Sequence, residues 1–201
     1  MKIFVATSND HKVEEIRRIL EDFQIEIEKS PKKIFVEENG ETFLENSVKK
    51  AYYYGNILGT PVVADDSGLV IDYLGGFPGV KSARFMENRP YKERMIEILR
   101  LMKMAEDRSA KFVCVASYYN PKTSFLISVE GVIEGEISYE VKGEKGFGYD
   151  PIFIPEGYKE TFGELGQKVK DEISHRSRAF KKLFSIITKI GDILELGDDR
   201  K

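Results

Sequence analysis

Two apolar runs, Lys111 to Tyr119 and Ser124 to Ile137, are separated only by Asn120-Pro121-Lys122-Thr123. Four residues can reverse a chain but cannot carry it across a sheet, so the two runs must pair antiparallel. Elsewhere strand-length apolar runs alternate with helical periodicity. Ile3-Phe4-Val5-Ala6 reads as a buried strand closed by Thr7-Ser8-Asn9-Asp10. A helix capped by Asn9 or Asp10 then spans about His11 to Phe23, with Val13, Ile16, Ile19, Leu20 and Phe23 as its apolar face. Short strands are expected at Ile25 to Ile27 and Ile34 to Val36. A helix from Thr42 to about Leu58 turns Phe43, Val48, Ala51 and Tyr54 to one side. Pro61 to Ala64 is a strand, Asp65-Asp66-Ser67-Gly68 follows it, and Leu69 to Ile71 resumes the apolar run. Helices are expected over Tyr91 to Met104 and Ser174 to Ile190, the latter with Ala179, Leu183, Ile186, Ile187 and Ile190 inward, and a strand over Ile152 to Ile154. Helices interleaved with strands around a long hairpin give an α/β fold with a mixed sheet, not a purely parallel one.

The chain can hold itself together without staples. Its 201 residues suffice to bury a core, and 41% hydrophobic residues argue against disorder. They fit one domain spanning 1–201, with a polar, frayed tail at 197–201. Cys114 is the only cysteine, which excludes an internal disulfide and cysteine metal cages; within Phe112-Val113-Cys114-Val115-Ala116 it reads as a small buried hydrophobe. The net charge of −3 lacks the basic excess of a general nucleic-acid binder, so any phosphate site must be local. Met1 to Ala6 is too short and polar-interrupted for a signal peptide, and no run reaches 18 apolar residues. The expectation is a cytoplasmic protein without a membrane or stable nucleic-acid partner.

Neither G-x-G-x-x-G after a strand nor G-x-x-x-x-G-K-[ST] is present, so a nucleotide site must be built from other parts. Asp65-Asp66 would be costly to bury unpaired but reasonable beside a hard cation such as Mg²⁺, and a carboxylate there could deprotonate water. The pair reads equally well as a solvated turn. Glu37-Glu38 precedes a helix and could add a carboxylate, or simply favour the helix N-terminus. Thr7-Ser8-Asn9-Asp10-His11-Lys12 offers hydroxyls, an amide and a lysine at a strand-to-helix turn, suited to phosphate oxygens or to plain capping. Gly146-Phe147-Gly148-Tyr149-Asp150-Pro151 sets aromatics between glycines, for stacking on a base or for packing in a tight turn. Ser174-His175-Arg176 opens the last helix with basic residues against its dipole, which favours a functional role over capping. Lys50 and Lys170 read by themselves as surface charges.

Taken in order, Thr7-Ser8-Asn9-x-x-Lys12, Glu37-Glu38-Asn39-Gly40-x-Thr42-Phe43-x-Glu45-Asn46, Ala64-Asp65-Asp66-Ser67-Gly68-Leu69, Gly75-Gly76-x-Pro78-Gly79-Val80-x-Ser82-Ala83-Arg84, Gly146-Phe147-Gly148-Tyr149-Asp150-Pro151-x-Phe153 and Ser174-His175-Arg176 resemble the inosine/xanthosine triphosphate pyrophosphatase family. The blocks run from Ile3 to about Leu183. The resemblance implies a two-lobed α/β fold with a long central mixed sheet and a cleft between the lobes, in a homodimer. It implies Mg²⁺-dependent cleavage of ITP, dITP and XTP between the α- and β-phosphates. By the same resemblance Thr7, Ser8, Asn9, Asp10, His11, Lys12 and Lys50 would hold the triphosphate. Glu38 and Asp66, with Asp65 close by, would bind the metal, and Asp66 would be the general base. Ser67, Phe147, Gly148, Tyr149, Asp150, Lys170, His175 and Arg176 would complete the substrate contacts, with Arg84 a further cleft residue. His175 and Arg176 would donate to the purine 6-oxo group and leave adenine mismatched. Ser8 stands where the family pattern commonly has glycine, so this loop must avoid glycine-only backbone angles.

Overall fold

The computed structural model describes residues 2–23 and 25–198. Six strands form one sheet in the order β2-β1-β3-β4-β5-β6. They are β1 (Lys2–Val5), β2 (Glu26–Lys29), β3 (Val62–Ile71), β4 (Ser109–Asn120), β5 (Phe125–Ile137) and β6 (Phe153–Pro155). β1 runs parallel to β2 and β3; β3 to β6 are mutually antiparallel. The hairpin that the sequence requires is therefore the centre of a mixed sheet, as expected. The helices are α1 (Asp10–Ile19), α2 (Phe43–Leu58), α3 (Tyr91–Leu101), α4 (Phe162–Leu165), α5 (Gln167–Ile173) and α6 (His175–Asp198). Among the described residues no helix is long and apolar enough to cross a membrane.

Strand alternation divides the core into layers. Ile3, Val5, Val63, Cys114 and Ala116 face α1 and α6, meeting Val13, Ile16, Ala179, Phe180, Leu183 and Phe184. Val62, Ala64 and Tyr119 face the other way, toward Ala51 and Tyr54 of α2. Farther along β3 to β5, Leu69, Ile71, Phe112, Ile133 and Ile137 gather Met95 and Ile98 of α3 with Phe153 and Phe162.

Several local expectations change. α1 ends at Ile19 and a 3₁₀ turn covers Glu21–Phe23. Residues 34–36 form no strand: Ile34 and Val36 pack against the α2-side core, and the Ile34 carbonyl accepts from Tyr54 Oη at 2.9 Å. Asp65-Asp66-Ser67-Gly68 is no turn but the middle of the ten-residue β3, paired residue by residue with β4. α2 turns Asn46, Ser47 and Lys50 inward with Ala51 and Tyr54, whereas Phe43 and Val48 are only half-buried. Its capping box, Thr42 with Glu45, fixes where that inward face begins. Of the tail, Gly197 and Asp198 belong to α6, and 199–201 lie outside the described residues.

The first turns of α6 rest directly on β5 at Gly131. A Cβ there would fall 2.2 Å from the His175 carbonyl oxygen and 2.4 Å from the Ala179 nitrogen. Backbone cannot yield as a side chain can, so Gly131→Ala is expected to cost roughly 1–3 kcal/mol, seen as a lower midpoint in denaturant unfolding. An unshifted midpoint would mean that α6 retreats from the strand freely.

Candidate functional site

A cleft of about 450 Å³ opens where the β1–α1 turn, α2, β3, the 146–150 loop and the start of α6 converge. Thr7, Ser8, Asn9 and Lys12 line it from the carboxyl end of β1 and the start of α1; Glu38 from the loop before α2; Lys50, Asp66 and Ser67 from α2 and β3; Phe147 and Tyr149 from the 146–150 loop; and Lys170, His175 and Arg176 from α5 and α6. The turn after Val5 is self-capped: the Asn9 amide donates to Thr7 Oγ1 at 3.1 Å, and the His11 amide to Asn9 Oδ1 at 3.0 Å. Ser8 is not among the residues with positive φ, so serine fits where the family commonly has glycine.

Because adjacent residues of a strand point to opposite faces, Asp65 and Asp66 do different things. Asp65 turns toward α1 and α6 and its side chain is fully buried. Its Oδ2 takes Lys12 Nζ at 2.9 Å and Arg176 Nη2 at 3.2 Å. Arg176 Nη1 reaches Glu15 Oε2 at 2.7 Å, and its Nη2 also donates to Ser67 Oγ at 2.8 Å. Lys170 Nζ stands 3.5 Å from Glu15 Oε1, an ion pair without a hydrogen bond, and 2.7 Å from Asp150 Oδ2. Asp150 Oδ2 in turn accepts the Phe147 amide at 2.8 Å. Three cations and three carboxylates thus alternate beneath the cleft, from α1 to the 146–150 loop.

Burial alone would raise both Asp65 and Glu15. Lys12 and Arg176 outweigh it at Asp65, as Arg176 and Lys170 do at Glu15, and hold both below the usual carboxylate range. Asp150 lies above its ordinary value because burial outweighs Lys170. Gly146, with φ +76, leaves room for this carboxylate: a Cβ there would lie 2.1 Å from Asp150 Oδ2.

On the other face, Asp66 accepts from Asn46 Nδ2 at 3.1 Å, and its Oδ1 lies 3.5 Å from Lys50 Nζ. Lys50 also pairs with Glu38 Oε2 at 2.8 Å, and the Arg84 guanidinium bonds the Glu38 carbonyl. Burial lifts the Asp66 carboxyl above its usual range, and Glu38 adds to that lift against the pull of Lys50 and Lys12. Lys50 is held protonated: burial opposes its charge, but Asp66 and Glu38 outweigh burial. Among the described residues no group of three or more His, Cys, Asp or Glu gathers as a metal cage. Two cleft-lining carboxylates around one ammonium, with Glu38 39% exposed at its side chain, are nevertheless the hard-oxygen set that Mg²⁺ takes alongside substrate phosphates.

At the far end Phe147 stacks on His11, with ring centroids 5.5 Å apart, and Lys170 Nζ lies 4.2 Å from its ring centre. Tyr149 is buried and donates to the Ser82 carbonyl at 2.9 Å. His175 is buried flat against Phe112, centroids 4.9 Å apart, and its Nδ1 has no partner. Burial, then the charges of Arg176 and Lys170, push its pKa well below the ordinary histidine value, so it is neutral at pH 7.

The residues expected in the site converge, with five departures, two of which are His11, which stacks on Phe147 without lining the cleft, and Arg84, whose guanidinium bonds the Glu38 carbonyl from outside it. Asp65 is absent from the cleft lining and sits on the opposite face from Glu38 and Asp66, so the structure does not bring it to them. Asp10 does not line the cleft either: its exposed carboxylate pairs with Lys29. Arg176 is no free fork, since Asp65, Glu15 and Ser67 take most of its donors. Glu15 and Asn46 were not expected. Glu15 was legible as a charge on the apolar stripe of α1, in step with Lys12, Ile16 and Ile19; Asn46 was legible only as the last residue of the second motif block.

A family model described as the Ham1 family matches residues 3–186. The chain belongs to the Ham1 family. It is 43% identical to the dITP/XTP pyrophosphatase of Aquifex aeolicus over 197 residues, covering 93% of this chain and 96% of that one. It is 46% identical to the dITP/XTP pyrophosphatase of Dictyoglomus thermophilum over 187 residues, covering 90% and 91%. Its fold matches the structure of a HAM1 protein from Coxiella burnetii with a TM-score of 0.84 at 37% identity, covering 94% of this chain and 99% of that one. It also matches a nucleoside-triphosphatase / dITP/XTP pyrophosphatase from Mycobacterium abscessus, with a TM-score of 0.72 at 37% identity, covering 91% and 98%. The fold described above is therefore a Ham1-family fold.

Two outcomes follow from the buried charges of this Ham1-family chain. Asp65→Asn removes the carboxylate between Lys12 and Arg176 and is expected to cost roughly 3 kcal/mol by chemical denaturation; a cost under about 1 kcal/mol would mean the pair is effectively solvated. His175 has a lowered folded pKa, so the unfolded chain takes a proton that the folded chain refuses. Stability is therefore lost as pH falls through about 6.5, by about 1.4 kcal/mol per pH unit. Denaturation midpoints from pH 7 to 5 should show that slope, reduced by about one proton in His175→Phe. An identical slope in both proteins would contradict a buried neutral His175.

Proposed function

We propose that this chain hydrolyses non-standard purine nucleoside triphosphates, ITP, dITP and XTP, to the monophosphate and pyrophosphate, with Mg²⁺ as cofactor. The observation that carries the reading is the separation of charge across β3. One face locks its acid into an internal ion chain, and the other leaves Asp66 and Glu38 at a cleft that the aromatic 146–150 loop also lines. The names of the relatives supply the substrate class.

The roles follow from position. The Thr7 and Ser8 hydroxyls, Asn9 and Lys12 hold the polyphosphate at the carboxyl end of β1. Glu38 and Asp66 would hold Mg²⁺, which when bound neutralises phosphate oxygens. Lys50 fixes both carboxylates between them. Asp66, at the cleft face of β3, accepts a proton from the attacking water. The water oxygen bonds to the α-phosphorus as the bridge to the β-phosphate breaks, and pyrophosphate leaves. His175, neutral and on the cleft lining, offers a hydrogen bond to the base edge, and Phe147 offers its ring. Arg176 serves mainly to hold Ser67 and the ion chain. The resemblance carried by the six motif blocks also supports a homodimer.

Asp66→Asn is expected to lower kcat for ITP by about 10²–10⁴-fold in a pyrophosphate-release assay, while its unfolding midpoint stays near that of the parent. Turnover within a few-fold of the parent would remove Asp66 as the base.

A further inference from the structure

The purine end of the cleft has an aromatic wall that none of the six sequence blocks contains. Tyr91 is the first residue of α3, far in the chain from the 146–150 loop, yet it lines the same cleft. Its ring meets Tyr149 edge-on, with centroids 5.4 Å apart and planes at 85°, and lies next to Gly148, where a Cβ would stand 3.8 Å from Tyr91 Cε1. The ring does not float there. The buried guanidinium of Arg94 lies over it, 4.5 Å from its centre. Arg94 is itself pinned by three backbone carbonyls: Arg89 at 2.9 Å, Ala83 at 2.8 Å and Glu87 at 2.7 Å. A fixed aromatic that remains 38% exposed, on the wall of a cleft, is preorganised to receive a planar apolar ligand surface.

A comparison within the molecule separates site from scaffold. Arg108 lies over Tyr139 in the same way, at 4.3 Å, and is pinned by the carbonyls of Met102, Ile137 and Ser138. Tyr139 is outside the cleft. The arginine–tyrosine unit is thus a recurring structural device of this chain, but only at Tyr91 does its aromatic face a cavity.

The geometry points to Tyr91 as a substrate-contacting residue that holds the purine base beside the 146–150 loop. This rests on the proposed reading of the cleft as a nucleoside triphosphate site. Stacking or edge contact between a base and an aromatic is lost when the ring is removed, and the phosphates are unaffected. Tyr91→Leu, which keeps apolar bulk against the Arg94 stem, should therefore raise KM for ITP about tenfold. Its kcat should stay within about twofold of the parent, and inhibition by inorganic pyrophosphate should be unchanged. Tyr91→Phe should restore most of the affinity, and Tyr139→Leu should leave KM at the parental value.

Steady-state kinetics on the four proteins, with pyrophosphate as inhibitor, decides the matter. A parental KM in Tyr91→Leu overturns the inference and leaves the function intact. So does an equal loss of pyrophosphate affinity, because Tyr91 would then shape the whole cleft. Absence of ITP turnover in the parent protein overturns the underlying reading and the inference with it.

Discussion

The Asp65 carboxylate, buried between Lys12 and Arg176, is the interaction on which the rest of the site depends. A lone carboxylate at the middle of a central strand would be prohibitively costly. Here it is one link in a chain that continues through Glu15 and Lys170 to Asp150. The six charges of that chain come from four elements and a loop, Lys12 and Glu15 both from α1, so the network sets α1, β3, α5, α6 and the 146–150 loop at fixed distances from one another. Breaking one link leaves its neighbours buried and uncompensated, which is why such networks specify geometry more than they add net stability.

The same strand carries the division of labour. Alternation sends Asp65 inward to the ion chain and Asp66 to the face of α2, where Asn46, Lys50 and Glu38 meet it. An acid locked between two cations, as Asp65 is, would be a poor proton acceptor, whereas Asp66 stands at the cleft. Two identical side chains, adjacent in sequence, are thereby given opposite electrostatic surroundings by nothing more than the two-residue period of a β-strand. The turn at Thr7 to Asn9 completes the arrangement by ending β1, the parallel neighbour of β3, on the same cleft.

Much of this is legible in the residues. The four-residue spacer at 120–123 imposes the antiparallel hairpin, the apolar stripe of α1 is correct through Ile19, and the order of motif blocks places the cleft. Two features hide. Reading Asp65-Asp66-Ser67-Gly68 as a turn, on polarity alone, concealed the alternation that separates the two acids. The buried charges of Glu15 and Lys170 resemble surface residues, and Arg176 reads as a free donor, until their partners, more than 150 positions away for Glu15 and Arg176, are brought together by the fold. Sequence separation on that scale carries no local signal; a charged residue on an apolar helical stripe, as at Glu15, is the one hint available. Tyr91 hides for a different reason: it starts an ordinary amphipathic helix, and only the packing of Arg94 and Tyr149 sets its ring in the cleft.

The most direct test of this account is pyrophosphate release from ITP, dITP and XTP against ATP, GTP and dTTP, with and without Mg²⁺. The account predicts Mg²⁺-dependent turnover of the first three and little of the others. Turnover of dTTP at a rate matching ITP, or release that is indifferent to Mg²⁺, would contradict it.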